Sequence, residues 1–255
     1  MEMTVVAARA KGPKAIARVL DLLSLLSGKP DGMSLADLSL AMSVPKSTFL
    51  DTLRGLCELH FLVHENGRYR LGSAAYQFAS RLISSWSAPE MVRTEVKALA
   101  RVTAESVGFA IADWEIGQAI YMEAVNSRQA VRYAMQAGLR APLYASAAGR
   151  VLLAYASPRR LDAYLERANL RPLTGNTRTD PEAIRQNLAE IREQGYCASF
   201  AELLDDTAAI SVPIFGPDRQ TVGAMMVAAP LDRMKRNYDD LLAAVIAAGK
   251  RASAG

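Results

Sequence analysis

Residues 34–71, SLADLSLAMSVPKSTFLDTLRGLCELHFLVHENGRYRL, decide the fold of the amino-terminal part of this chain. Leu35, Leu38 and Met42 recur at helical spacing, and Ser34 followed by Asp37 has the S-x-x-D form of a capping box, so a short helix starts here. Pro45 stands where its missing N–H costs least, which predicts a second helix starting there. In that helix Phe49, Leu53, Leu56 and Cys57 form an apolar stripe, while Lys46, Ser47, Thr48, Asp51 and Thr52 face away. The strands Phe61–Val63 and Tyr69–Leu71 flank Glu65-Asn66-Gly67, a strong hairpin signal. Helix, turn, helix and hairpin is the order of a winged helix-turn-helix, whose second helix enters the DNA major groove. Small hydroxyls and a lysine suit that task, since Ser and Thr reach both phosphates and base edges. A small helical packing domain without a ligand is the other reading of the same pattern.

Working outward, the 255 residues exceed the ordinary size of one domain and suggest two. The chain is 51% hydrophobic, enough for a sizeable core, yet no apolar run is long enough for a membrane helix. Residues 1–12, MEMTVVAARAKG, lack the apolar region of a signal peptide and read as a flexible arm. Cys57 and Cys197 are too far apart in sequence for a disulfide framework or metal cluster, which points to a reducing cytoplasm. The net charge of +4 is a weak electrostatic footprint for a nucleic-acid binder. Locally, Arg9, Lys11, Lys14 and Arg18 cluster at the entry of the chain, and Arg68 and Arg70 sit on the hairpin. These either clamp phosphates, giving salt-dependent affinity, or form solvated faces.

In chain order, Pro13 to Ser27 reads as a helix with Ile16, Val19, Leu20, Leu23 and Leu26 on its buried face, so that the DNA-binding domain spans 13–72. Residues 73–88 form a linker helix with Tyr76, Ala79, Leu82 and Ile83 in a stripe, paired either with a second subunit or with its own chain. Pro89 opens a second domain, 89–255. It begins with a helix over Met91–Val107 stopped by Gly108. Strands follow at 109–113, 119–125 and 130–135, then helices near 146–156, 158–167 and 180–194. Strands return at 196–201, 208–215 and 221–229, before a last helix over 231–250. This order predicts an α+β domain with an antiparallel sheet flanked by helices.

Both histidines, His60 and His64, fall in the first domain, so the second has no His for a triad, a metal site or acid–base work. Ser146-Ala147-Ala148-Gly149-Arg150 lacks the spacing of a dinucleotide fingerprint, and Ser146 reads as a helix cap. Asp205-Asp206 and Asp239-Asp240 read as turn or helix-end residues. Catalytic and metal sites are therefore not expected, nor is a cofactor; a pocket for a small ligand is.

The segments KAIARVLDLLSLL, LADLSLAMSVPKSTFLDTL and YRLG at 69–72 resemble the IclR family of bacterial transcription regulators. So do LYASAAGRVLLAY at 143–155, Gly195-Tyr196, Glu202 and ISVPIFGPDRQTVGAMMVAAP at 210–230, in the family's order and spacing. The resemblance implies a winged helix, a dimerising linker helix and a GAF-like effector domain that often assembles a dimer of dimers. It implies a small metabolite, often an organic acid, that changes binding to a pseudo-palindromic operator. DNA contacts are then expected from Lys14, Lys46, Ser47, Thr48, Asp51, Thr52, Arg54, Arg68 and Arg70. Effector contacts are expected from Tyr133, Met135, Ala147, Ala148, Ser199, Glu202, Ala209, Met226 and Ala228. A GAF-like sensor acting through protein contacts is the alternative.

Two departures from the family pattern matter. Where members commonly carry an Arg, this chain has Asp51, which repels phosphate and accepts only from a cytosine amino group; a local role beside Ser47 and Arg54 is the other reading. Relatives that hold small oxoacids place polar side chains at positions aligning with Ser199, Ala209, Met226 and Ala228, and only Ser199 stays polar here. The N–H groups of Ala147 and Ala148 still suit an anion. With Tyr133, Met135 and Met226 as an apolar wall, this suggests an aromatic acid or derivative, unless these residues simply fill the core.

Overall fold

The structure of the protein, a computed structural model, describes residues 14–85 and 90–253. The arm at 1–12, Trp86 and Pro89 lie outside the described residues. The chain divides into two units, Met1–Ser87 and Ala88–Gly255.

In the first unit, α1 (Lys14–Ser27) precedes a two-residue strand β1 (Met33–Ser34), then α2 (Leu35–Met42) and α3 (Lys46–Glu58). Ser34 caps α2 as its sequence requires: its Oγ accepts the Asp37 N–H at 3.2 Å, and its own N–H donates to the Asp37 carboxylate at 3.3 Å. Ser43 ends α2 in the left-handed region, and Pro45 stands at the N-cap of α3. Strands β2 (Leu62–Glu65) and β3 (Arg68–Leu71) form the hairpin, and α4 (Ser73–Ser85) follows. Asn66 and Gly67 both have positive φ, 49° and 73°, the geometry of a type I′ turn whose twist matches the strands. Strand β1 pairs with β3, making a three-stranded sheet in the order β1-β3-β2.

The core of this unit is Leu22, Leu26, Leu38, Val44, Phe49, Leu53, Leu56, Leu62 and Tyr69. Burying Phe49 or Leu53 fully contributes roughly 1.5–3 kcal/mol each. The buried seam of α1 differs from the expected one. Leu22 and Leu26 are inside, whereas Ile16 and Leu20 are 59% and 62% exposed. The helix packs chiefly on α2 and β3, so one seam is covered and the adjacent positions face out. In α4, Phe78 meets Phe61 with ring centroids 6.1 Å apart while Tyr76 stays exposed; the side chains of Leu82 and Ile83 lie outside the described residues.

The second unit is built on α5 (Glu90–Thr103), β4 (Ser106–Asp113), β5 (Gln118–Val125), β6 (Arg140–Pro142), α6 (Ala147–Ala154), α7 (Pro158–Arg167) and α8 (Pro181–Gln194). It continues through β7 (Cys197–Phe200), β8 (Thr207–Phe215), β9 (Thr221–Pro230), α9 (Leu231–Arg236) and α10 (Tyr238–Ser253). Six antiparallel strands run in the order β6-β5-β4-β9-β8-β7. Helix α6 covers one face through Ala209, Met226 and Ala228. On the other, a Cβ on Gly249 of α10 would meet Val212 Cγ2 at 2.6 Å, so glycine permits that approach. Both faces are covered, which is why β8 and β9 read as continuous apolar runs.

Three expectations need correction. The helix at 91–107 stops at Thr103, because Ala104 turns left-handed (φ 55°) and buried Glu105 is held by Arg233 at 2.6 and 2.7 Å. Residues 130–135 form no strand: the Asn126 side chain takes both the N–H and the carbonyl of Met135 at 2.8 Å, and β6 pairs with β5 instead. The last helix is two, broken at Asn237.

Replacing Ser34 with alanine removes a helix cap, and the opening free energy of α2 amides should fall by about 1 kcal/mol in hydrogen exchange.

Candidate functional site

Burial of Phe49, Leu53 and Leu56 turns the opposite face of α3 outward. Lys46, Ser47, Asp51 and Arg54 are exposed there, and Thr52 is half-buried. The side chains of Thr48 and Lys14 lie outside the described residues. No side chain caps α3, so its first-turn N–H groups remain for an external acceptor. Asp51 and Arg54 form an exposed pair at 3.7 Å, one turn apart. Such a pair adds little stability, but it sets a cation beside the carboxylate that breaks the family pattern.

The hairpin arginines are less free than their sequence suggests. Arg68 donates to the Gly32 carbonyl at 3.0 Å, fastening the preceding turn to β3, and Arg70 pairs with Glu65 across the hairpin. Arg68 keeps its remaining donors, while the Arg70 charge is already answered within the chain.

The second candidate site lies where the start of α6 meets the sheet. Ser146 caps α6, accepting the Gly149 N–H at 3.1 Å and donating to the Pro142 carbonyl at 2.9 Å. Gly149 is required here, since a Cβ would stand 2.4 Å from the Leu143 carbonyl oxygen. In front of this turn is a cavity of about 20 Å³, room for one water. Ser146 and Ala147 form its floor, Ser199, Ala209, Met226 and Ala228 come from the sheet, and Tyr133 closes one side. Tyr121, Leu203, Thr207 and Ala208 complete the lining. Burial raises the phenol pKa values of Tyr121 and Tyr133, and the two rings reinforce this for Tyr121, so both present neutral hydroxyls.

Six of the expected effector residues thus converge: Tyr133, Ala147, Ser199, Ala209, Met226 and Ala228. Three do not line the cavity. Met135 places its sulfur over Gly108, 3.0 Å from where a Cβ would be, and Ala148 is packed in the core. Glu202 turns to Arg150, whose Nη2 donates to it at 2.8 Å, and to Arg178. Arg150 is fully buried; Asn187 accepts its Nη1 at 3.0 Å, and its Nε has no partner among the described residues. The signal for this pair was in the sequence, a single charge inside the apolar run at 143–155. Tyr121, Thr207 and Ala208 carried no such signal, because only strand pairing brings them to the cavity. Cys197 lies nearby, and burial pushes its thiol pKa up, so it is an inert core group.

With this geometry in view, the description "IclR helix-turn-helix domain" matches residues 15–65, and "Bacterial transcriptional regulator IclR C-terminal" matches residues 82–254. The chain belongs to the IclR family. It is 30% identical over 216 residues to the HTH-type transcriptional regulator KipR of Bacillus subtilis, covering 84% of this chain and 85% of that protein. It is 25% identical over 223 residues to the transcriptional repressor IclR of Escherichia coli, covering 87% and 81%. An IclR homolog from Microbacterium hydrocarbonoxydans, solved with 4-hydroxybenzoate, shares the fold at a TM-score of 0.81 and 21% identity, over 94% of this chain and 98% of that one. As an IclR-type protein, the chain is a transcription regulator with a winged helix-turn-helix and an effector-type domain.

Removing the Glu202 carboxylate strands the buried Arg150 charge. Glu202→Ala should therefore destabilise the ligand-free second unit by about 3 kcal/mol, read from hydrogen exchange of α6 amides. An unchanged unit would return Glu202 to a purely ligand-facing role.

Proposed function

We propose that this IclR-family regulator reads a pseudo-palindromic operator with α3 from two subunits, and that a small organic acid in the second unit alters that binding. The observation that carries the DNA reading is the exposed Lys46, Ser47 and Arg54 face, set opposite a fully buried apolar stripe and followed by a hairpin. Lys46, Ser47 and Thr52 supply the principal contacts, with Thr48 beside them by sequence. Arg68 adds a phosphate contact from the hairpin. Asp51 positions Arg54 more than it touches phosphate, since a carboxylate at a DNA surface is repelled. Domain limits of 13–72 for DNA binding, 73–88 for the linker and 89–255 for the effector part follow from the same reading. The linker helix joins two copies, and two dimers pair into a tetramer.

Effector chemistry is supported by the turn at Ser146–Ala147: Ala147, in the first turn of α6, lines a cavity that otherwise offers Ser199, Thr207 and two neutral phenols. The largely apolar lining favours an aromatic acid over a short oxoacid, as does the solved IclR homolog bearing 4-hydroxybenzoate. A cavity the size of one water admits neither without rearrangement. Leu203, on the loop between β7 and β8, and Tyr133, on an irregular segment, are the walls with most freedom to move. A ligand that binds one arrangement better than another shifts the population of DNA-competent dimers by that difference. The protein acts by binding, not by catalysis, and works in the cytoplasm; among the described residues no helix is long and apolar enough to cross a membrane.

Electrophoretic retardation of the gene's own upstream DNA over a salt series tests the first half. Lys46→Ala should lower affinity and reduce the slope of log affinity against log salt by about 1, as one phosphate contact is lost. Absence of competitor-resistant binding by a folded dimer would favour a sensor acting through protein contacts. For the second half, 4-hydroxybenzoate should raise the melting temperature more than pyruvate or glyoxylate does, and Ser199→Ala should diminish that gain. Stabilisation by the short oxoacids alone would reject the aromatic class.

A further inference from the structure

A second cleft of the same unit is lined in part by Pro142 and Tyr144, just ahead in sequence of the Ser146–Ala147 turn. It measures about 410 Å³, within the range of roughly 300–1,000 Å³ typical of small-molecule sites. Arg167 from the end of α7, Arg171 just beyond it, Gln118, Asn169 and the acid Glu115 are among its lining residues. Arg167 spends one donor on the Trp114 carbonyl. The side chains of Arg171, Gln118 and Asn169 make no hydrogen bond among the described residues. Arg160 lies 5.1 Å over the Trp114 ring beside them, adding positive charge.

The cleft is built, not merely left open. Asp113 Oδ1 accepts the N–H groups of Glu115 and Ile116 at 3.1 and 3.3 Å, fixing the loop. Gly117, at φ 68°, lets the loop close onto the Tyr164 ring, which a Cβ would approach to 3.0 Å. Tyr164 accepts the Tyr144 N–H at 3.1 Å, and Tyr144 in turn donates to the Arg171 carbonyl at 2.7 Å, so the arginine-bearing segment is tied to the floor. Burial pushes the Tyr164 phenol up to about 12.

We propose that this cleft is a second ligand site, binding a small organic anion with two or more carboxylates through Arg167 and Arg171. Two guanidinium forks and two side-chain amides in one lining match planar carboxylates better than a compact point charge. Occupancy is felt at the effector cavity, because Pro142 and Tyr144 line the cleft while Ser146, bonded back to the Pro142 carbonyl through its Oγ and its N–H, lines the cavity beside Ala147. That coupling rests on the effector reading given above; the cleft itself does not.

Calorimetric titration of the full-length protein with citrate, no other ligand present, tests the site. Saturable binding of one citrate per chain is expected. The double substitution Arg167→Ala with Arg171→Ala should weaken it by roughly tenfold or more, the scale of a lost charge-assisted bond or two. Arg101→Ala with Arg128→Ala, exposed arginines outside the cleft, should leave it unchanged. Absence of saturable binding, or equal loss in both double variants, overturns the site; inorganic phosphate binding in place of citrate overturns its carboxylate assignment. Repeating the titration with saturating 4-hydroxybenzoate should shift citrate affinity, and citrate should shift 4-hydroxybenzoate affinity by the same factor. Failure of 4-hydroxybenzoate to bind counts against the effector reading alone. If it binds and citrate leaves its affinity unaltered, the coupling is overturned.

Discussion

A guanidinium with no access to water must be paired, and that constraint organises the second unit. Arg150 rises from α6 into the core, where Glu202 and Asn187 receive it. The bond joins α6 to the turn that follows β7, and Arg178 brings the 171–178 loop to the same carboxylate. Thr174 and Thr177 add hydroxyl bonds to the Ala201 and Glu202 carbonyls. The charge pair thereby ties together two segments that contribute to the small cavity, α6 with Ser146 and Ala147 at its start and the loop bearing Leu203. Such a pair contributes less to net stability than to uniqueness of arrangement, since breaking either half leaves an uncompensated buried charge.

In the first unit the governing constraint is hydrophobic. A three-helix core with a small sheet has apolar surface enough to bury one stripe per helix, and the polar faces left over are determined by that choice. The outward face of α3 is therefore a consequence of packing before it is a device for recognition. The bonds of Arg68 to Gly32 and of Arg70 to Glu65 show the hairpin's charges serving the fold first.

The elements of both units were largely legible in the residues. The capping box at Ser34 and the Asn66-Gly67 turn both act through interactions between residues close in sequence. The misread places share a cause. The end of α5 depends on Arg233, 128 positions from its partner Glu105. The missing strand at 130–135 depends on a side-chain amide replacing a ladder, and the seam of α1 depends on which neighbours reach it. None of these has a local signature.

The same division runs through the sites. By itself the sequence determined the two-part organisation, the helix at 46–58 with its outward polar face and the helix-capping Ser146, because each follows from local pattern and residue type. Only the tertiary structure decided that Glu202 serves Arg150, that Tyr121, Leu203 and Thr207 meet Ser199 around one small cavity, and that Arg167 and Arg171 line a second cleft. Those outcomes depend on strand order and on contacts between distant segments, and burial of a charge or a hydroxyl has meaning only once its partners have been brought to it.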